Sequence, residues 1–171
     1  MEKNNKLMPI TCEKAKHIIN ACIDAGYPIN TYKLEKLLLL VEGYLFATTH
    51  QLFFNDNIKI TKSSGLRIPT IYKCFIANSV EFAEKCREYI CLLDNEKKAI
   101  DLVLDMYGYM NPFDLASLEN LEQINNAFND GEMITAQVFV GMISPDTIHK
   151  FMNSEGNQPK VRKLRKQQQS K

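Results

Sequence analysis

Apolar residues recur every three or four positions along most of the chain, and the stretches between them are short and rich in Gly, Pro, Asn and Asp. That pattern predicts a mainly α protein. Ala15, Ile18, Ile19, Cys22 and Ile23 form one face of a helix over residues 12–25, with Thr11 in the capping position. Gly26 and Pro28 stop it. A second helix starts at Asn30 or Thr31 and runs to about Thr48, through Leu34, Leu37, Leu38, Val41, Leu45 and Phe46. Leu39 and Leu40 widen its stripe beyond an ordinary amphipathic face, so this helix, about 31–48, is covered on most sides. The expected architecture is a compact multi-helix domain built around it.

Beyond it, "LFF" and "IKI" flank Asn55, Asp56 and Asn57, which predicts a short β-hairpin near 52–62. Pro69 fits the first turn of a helix over 69–77. Residues 79–93 read as helical with Phe82, Cys86, Tyr89, Ile90 and Leu93 inward. Asp94 caps the next helix, whose stripe is Ala99, Ile100, Val103, Leu104 and Tyr107 and whose end is Gly108. Asn111 and Pro112 open another, to about Glu119, in the preferred order of cap then proline. Residues 121–131 read as a short helix or an irregular segment. In "MITAQVFVGMI" strand and helix compete, and Ser144 caps a short helix from Pro145.

At 45% apolar residues the chain supports a real core. No apolar run approaches the roughly 20 residues of a membrane span, and residues 1–14 lack a secretory pattern, so a cytoplasmic protein is expected. The net charge of +1 conceals an asymmetry: residues 159–171 hold six basic residues and no acidic ones, against 15 basic and 20 acidic in residues 1–158. The division expected is a flexible leader (1–10), a helical domain (11–153) and a basic disordered tail (154–171). Tail residues Lys160, Arg162, Lys163, Arg165 and Lys166 are candidates for nucleic-acid contact. Cys12, Cys22, Cys74, Cys86 and Cys91 contain no CxxC pair and read as reduced, mostly buried thiols.

Catalytic and cofactor patterns are missing from the sequence. There is no HExxH, no glycine-rich phosphate loop and no GxSxG elbow. His17, His50 and His149 are far apart and read as solvent-facing. Asp101 and Asp105 lie four apart on the solvated edge of their helix. The expectation is a non-catalytic protein with no metal and no cofactor, working by surface contact.

The order of features resembles the Panacea domain, the SocA-like antitoxin family that is also phage-associated. Ala15 and Ile18 match its "A-x-x-I" helix; Lys33, Leu34, Lys36, Leu37 and Leu38 match its "KLxKLLY" helix, with Leu39 in place of the tyrosine; Leu52 and Phe53 match its "LF". Gly65, Pro69 and Tyr72 follow in the order of its "GPV" turn and tyrosine helix, with the Gly-Pro contact interrupted. "NEKKAIDLVLDMYG" and "GMISPDTIHKFM" are similar to later helices, and the family's tryptophan is absent. The likeness spans about residues 12–152 and describes a divergent member. It implies a protein-binding module that neutralises a partner toxin by direct contact. A phage-borne inhibitor of a host defence protein on the same scaffold, and a nucleic-acid-binding regulator using the tail, are the alternatives. By the family motif, Lys33, Lys36, Arg67 and Tyr72 are the partner contacts, with Tyr107 near the same surface. Helical periodicity alone puts both lysines on the solvated edge of the leucine helix and packs the tyrosines.

Overall fold

The structure is a computed structural model describing residues 8–75, 84–119 and 121–142. Among the described residues the chain is mainly helical. In chain order the elements are α1 (Ile10–Ala25), α2 (Thr31–Thr49), β1 (Ile58–Thr61), β2 (Gly65–Arg67), α3 (Pro69–Phe75), α4 (Asp94–Tyr107), α5 (Pro112–Ala116), α6 (Leu121–Ala127), β3 (Met133–Ile134) and α7 (Ala136–Gly141).

The leucine-dense helix is the central one. Helix α2 packs against α1, α3, α4, α5, α7 and β2, and Leu34, Leu37, Leu38 and Val41 have no exposed surface. Each such side chain contributes about 1.5–3 kcal/mol relative to exposure. Asn30 caps α2 by accepting from the Lys33 N–H at 2.8 Å. His50, left-handed at φ 59°, ends it.

Helix α1 stops as its sequence predicts. Gly26 takes φ 76°, and the N–H groups of Gly26 and Tyr27 donate to Ile23 and Cys22 carbonyls. Its start differs: Pro9 is in the cap position and Thr11 lies inside the first turn, where its hydroxyl donates to Asp56. Asp56 is therefore tied to α1 rather than forming a hairpin turn.

The hairpin exists, shifted along the chain. Strands β1 and β2 pair antiparallel with Lys59 opposite Arg67 and Ile60 opposite Leu66, turning through residues 62–64. Strand β3 adds on the other side, giving the order β2-β1-β3. Residues 52–54 stay out of the ladder because the buried Glu42 carboxylate takes the N–H groups of Phe53 (2.6 Å) and Phe54 (3.3 Å).

Residues 84–93 are not helical, contrary to the pattern reading, and Tyr89 and Leu93 are exposed. Their backbone is held by α1 side chains. Asn20 donates to the Cys86 carbonyl (2.8 Å) and accepts from its N–H (2.7 Å), and His17 Nε2 donates to the Ile90 carbonyl (2.6 Å). His17 is thus half-buried, not solvent-facing, whereas His50 is exposed. A little further on, Lys14 spans the Phe53 carbonyl (2.7 Å) and Glu96 (2.6 Å).

The α4 stripe is buried as expected, with Leu93 rather than Asp94 in the cap position. Asn111 caps α5, which ends at Ala116. The competition in "MITAQVFVGMI" resolves into both outcomes: β3, then α7 capped by Thr135. Helix α3 is described over Pro69–Phe75, and the remainder of the expected 69–77 helix lies outside the described residues. The Cys12 and Cys74 sulfurs are joined, linking α1 to α3, which corrects the expectation of five thiols; Cys22, Cys86 and Cys91 are free. The predicted helix at 145–152, His149 and the basic tail lie outside the described residues.

Candidate aromatic and cationic surface beside helix α2

Because α2 is covered nearly all round, its charged residues have no solvent to face, and their charges are settled inside the protein. Lys33 is buried; its ammonium donates to the carbonyls of Pro28 (2.9 Å) and Gly108 (2.6 Å). Burial lowers its pKa. Lys36 is buried as well, and its three donors go to Ser64 O (3.0 Å), Leu66 O (2.9 Å) and Glu119 Oε1 (2.6 Å). Burial pulls its pKa down, opposed by Glu119, while burial pushes the Glu119 carboxyl up, opposed by Lys36. The expectation that these lysines lie on a solvated edge is overturned. They hold the fold together, and neither ammonium has a free face for a partner.

Glu35, with no exposed surface, anchors the next layer. Its carboxylate receives Arg67 Nε (3.1 Å) and Nη2 (2.7 Å) as a fork, and also the Ile68 N–H (2.7 Å). These hydrogen bonds raise the Arg67 pKa, against the effect of burial. Arg67 is half-buried, its plane fixed from below, and its outer side meets two rings: Tyr32 at 5.3 Å and Tyr72 at 6.0 Å. Tyr32 in turn lies 6.2 Å from the Phe113 ring and donates its hydroxyl to Ser64 O. Burial, then Glu119, raises the Tyr32 pKa.

The result is a surface row running Tyr72, Arg67, Tyr32, Phe113. Tyr72 is 48% exposed and Phe113 79%. Tyr72 is thus an open side chain, not a packed one, and it adjoins Arg67. Lys33 and Lys36 are not at this surface, and Tyr107 is buried on α4. The tail candidates Lys160, Arg162, Lys163, Arg165 and Lys166 lie outside the described residues.

Beside Tyr72 is a shallow cleft of ≈ 250 Å³, floored by Glu35 and Arg67 and walled by Lys59, Thr61, Pro69 and Lys73. Sequence reading missed Glu35, Glu119, Tyr32, Phe113, Lys59 and Lys73. The signal for the first was present: a charged residue within a helix apolar on every side must find its partner inside the protein. Nothing local in the sequence marks Phe113, whose ring is exposed because Pro112 starts α5 at the surface.

Among the described residues no group of three or more His, Cys, Asp or Glu side chains could hold a metal ion. None of the described helices is long and apolar enough to cross a membrane. Compared with family models, with curated proteins and with solved structures, the chain gives no match.

Proposed function

We propose that this protein does no chemistry of its own and works by holding a partner protein against the row Tyr72, Arg67, Tyr32, Phe113. One observation carries this reading: two exposed rings and a half-buried guanidinium stand on a rigid backing, the Glu35 fork. Tyrosine and arginine are the residue types that dominate binding energy at protein interfaces, and a pre-positioned guanidinium loses little entropy on contact. The similarity to the Panacea domain supplies a class for the partner, a toxin neutralised by direct contact. A host defence protein is the partner in the phage-borne version of the same reading.

The test is affinity capture from the native host with mass spectrometry, using wild type and Tyr72→Ala/Phe113→Ala. The double variant changes exposed side chains and is expected to keep its melting temperature while losing the captured protein. Co-expression with the neighbouring reading frame then asks whether that product is toxic alone. If the folded variant captures the same protein undiminished, this row is not the binding surface.

The run of six basic residues in 159–171 favours a second reading, nucleic-acid binding through the tail. Retention on DNA or RNA should then fall steeply with salt and vanish on deleting the tail.

A further inference from the structure

Resting on that protein-binding reading, we infer that the cleft beside Tyr72 receives a carboxylate side chain from an acidic segment of the partner. Lys59 and Arg67 are direct cross-strand partners in the β1–β2 ladder, and both line the cleft. Like charges placed directly opposite each other oppose strand pairing. Lys73, from α3, brings a third cation to the same cleft. Among the described residues the one carboxylate there, Glu35, is fully buried and committed to Arg67 and the Ile68 N–H. Lys59 and Lys73 are exposed and make no ion pair among the described residues. The cleft therefore holds positive charge that the described residues do not neutralise.

This patch runs against the sign of the body, which carries 15 basic and 20 acidic residues over 1–158. A long polyanion approaching it would meet an unfavourable field, whereas a short acidic stretch needs only the local one. The cleft volume of ≈ 250 Å³ suits a side chain or two rather than a nucleotide chain. Next to it, the open rings of Tyr72 and Phe113 offer apolar contact to residues flanking the acid. The occupant that fits is a peptide segment mixing Glu or Asp with apolar residues.

The probe is a short peptide of glutamates interspersed with leucine and serine, titrated into isotope-labelled full-length protein and followed by amide shifts. Expected are shifts centred on Lys59, Arg67, Tyr72 and Lys73, and affinity about tenfold weaker for the glutamine counterpart. Lys59→Glu/Lys73→Glu should abolish binding. Lys59→Glu alone, which sets an opposite charge across from Arg67, should keep the wild-type melting temperature while binding the peptide more weakly. Equal affinity for the glutamine peptide, shifts centred elsewhere, or tighter binding of an oligothymidylate to the same residues would overturn the inference. If the host partner is lost by Tyr72→Ala/Phe113→Ala but kept by Lys59→Glu/Lys73→Glu, the acidic segment is wrong and the surface stands. If both variants keep it, both readings fall.

Discussion

Lys36 Nζ and Glu119 Oε1 meet at 2.6 Å, and between them they take the polar groups that Leu66 turns away from β1: the ammonium donates to Leu66 O at 2.9 Å and the carboxylate accepts from Leu66 N at 3.1 Å. Strand β2 is the outer strand of the sheet, and such an edge is ordinarily open to pairing with another chain. Here an internal ion pair closes it.

Lys36→Met should therefore cost about 3–5 kcal/mol in urea unfolding, because it strands the Glu119 carboxylate in the interior. Lys36→Met/Glu119→Leu should cost less than the single change. A double variant less stable than Lys36→Met would mean that Glu119 stabilises the fold without Lys36, through the Leu66 N–H.

Gly108 is the second position where α2 grips its surroundings. A Cβ there would lie 2.7 Å from the Tyr27 ring and from Leu104 O, while the Gly108 carbonyl holds Lys33. Gly108→Ala is expected to lower stability by about 1–3 kcal/mol, the cost typical of overpacking, despite alanine's better helix propensity. Thermal melting checks it.

The Cys12–Cys74 link encloses a sequence separation of 62. Removing it by reduction, or as Cys12→Ser/Cys74→Ser, should cost on the order of 4 kcal/mol through the entropy regained by the unfolded chain. Unfolding with and without a dithiol measures it, and an unchanged midpoint would show that the link contributes nothing.

Burial raises the Glu42 carboxyl from its usual 4.5 to about 8, outweighing the two backbone N–H groups that pull it down. The folded state thus keeps a proton that the unfolded chain has released. Stability from this group is full below pH 4.5 and is lost as pH rises through about 8. Glu42→Gln, neutral throughout but with one acceptor oxygen for the two N–H groups, should flatten that slope. Measured between pH 5 and 9, stability should fall with rising pH for the wild type and change little for the glutamine variant.

How far the sequence could be read depended on whether a feature was local. The stripes of α2 and α4, the Asn30 and Asn111 caps and the Gly26 stop follow from periodicity and turn chemistry within a few residues. Residues 84–93 carry a helical pattern, but side chains some 66 to 73 positions away capture their backbone. The same is true of Leu52–Phe54, claimed by Glu42, and of Lys36, whose acidic partner is 83 residues distant. Of the binding candidates, Arg67 and Tyr72 do meet at one surface, whereas Lys33 and Lys36 are internal because the helix carrying them has no outside.

Thr11, Lys14, His17 and Asn20 fall at every third residue of α1, and the last three reach Glu96, Ile90 and Cys86, so the later strap runs antiparallel to the helix. Inserting a single residue between Lys14 and His17 would turn the later two side chains by about 100° relative to the first two. The helix would survive, but the strap would lose its template, since the shape of 84–93 is written in the spacing of α1 and not in its own residues.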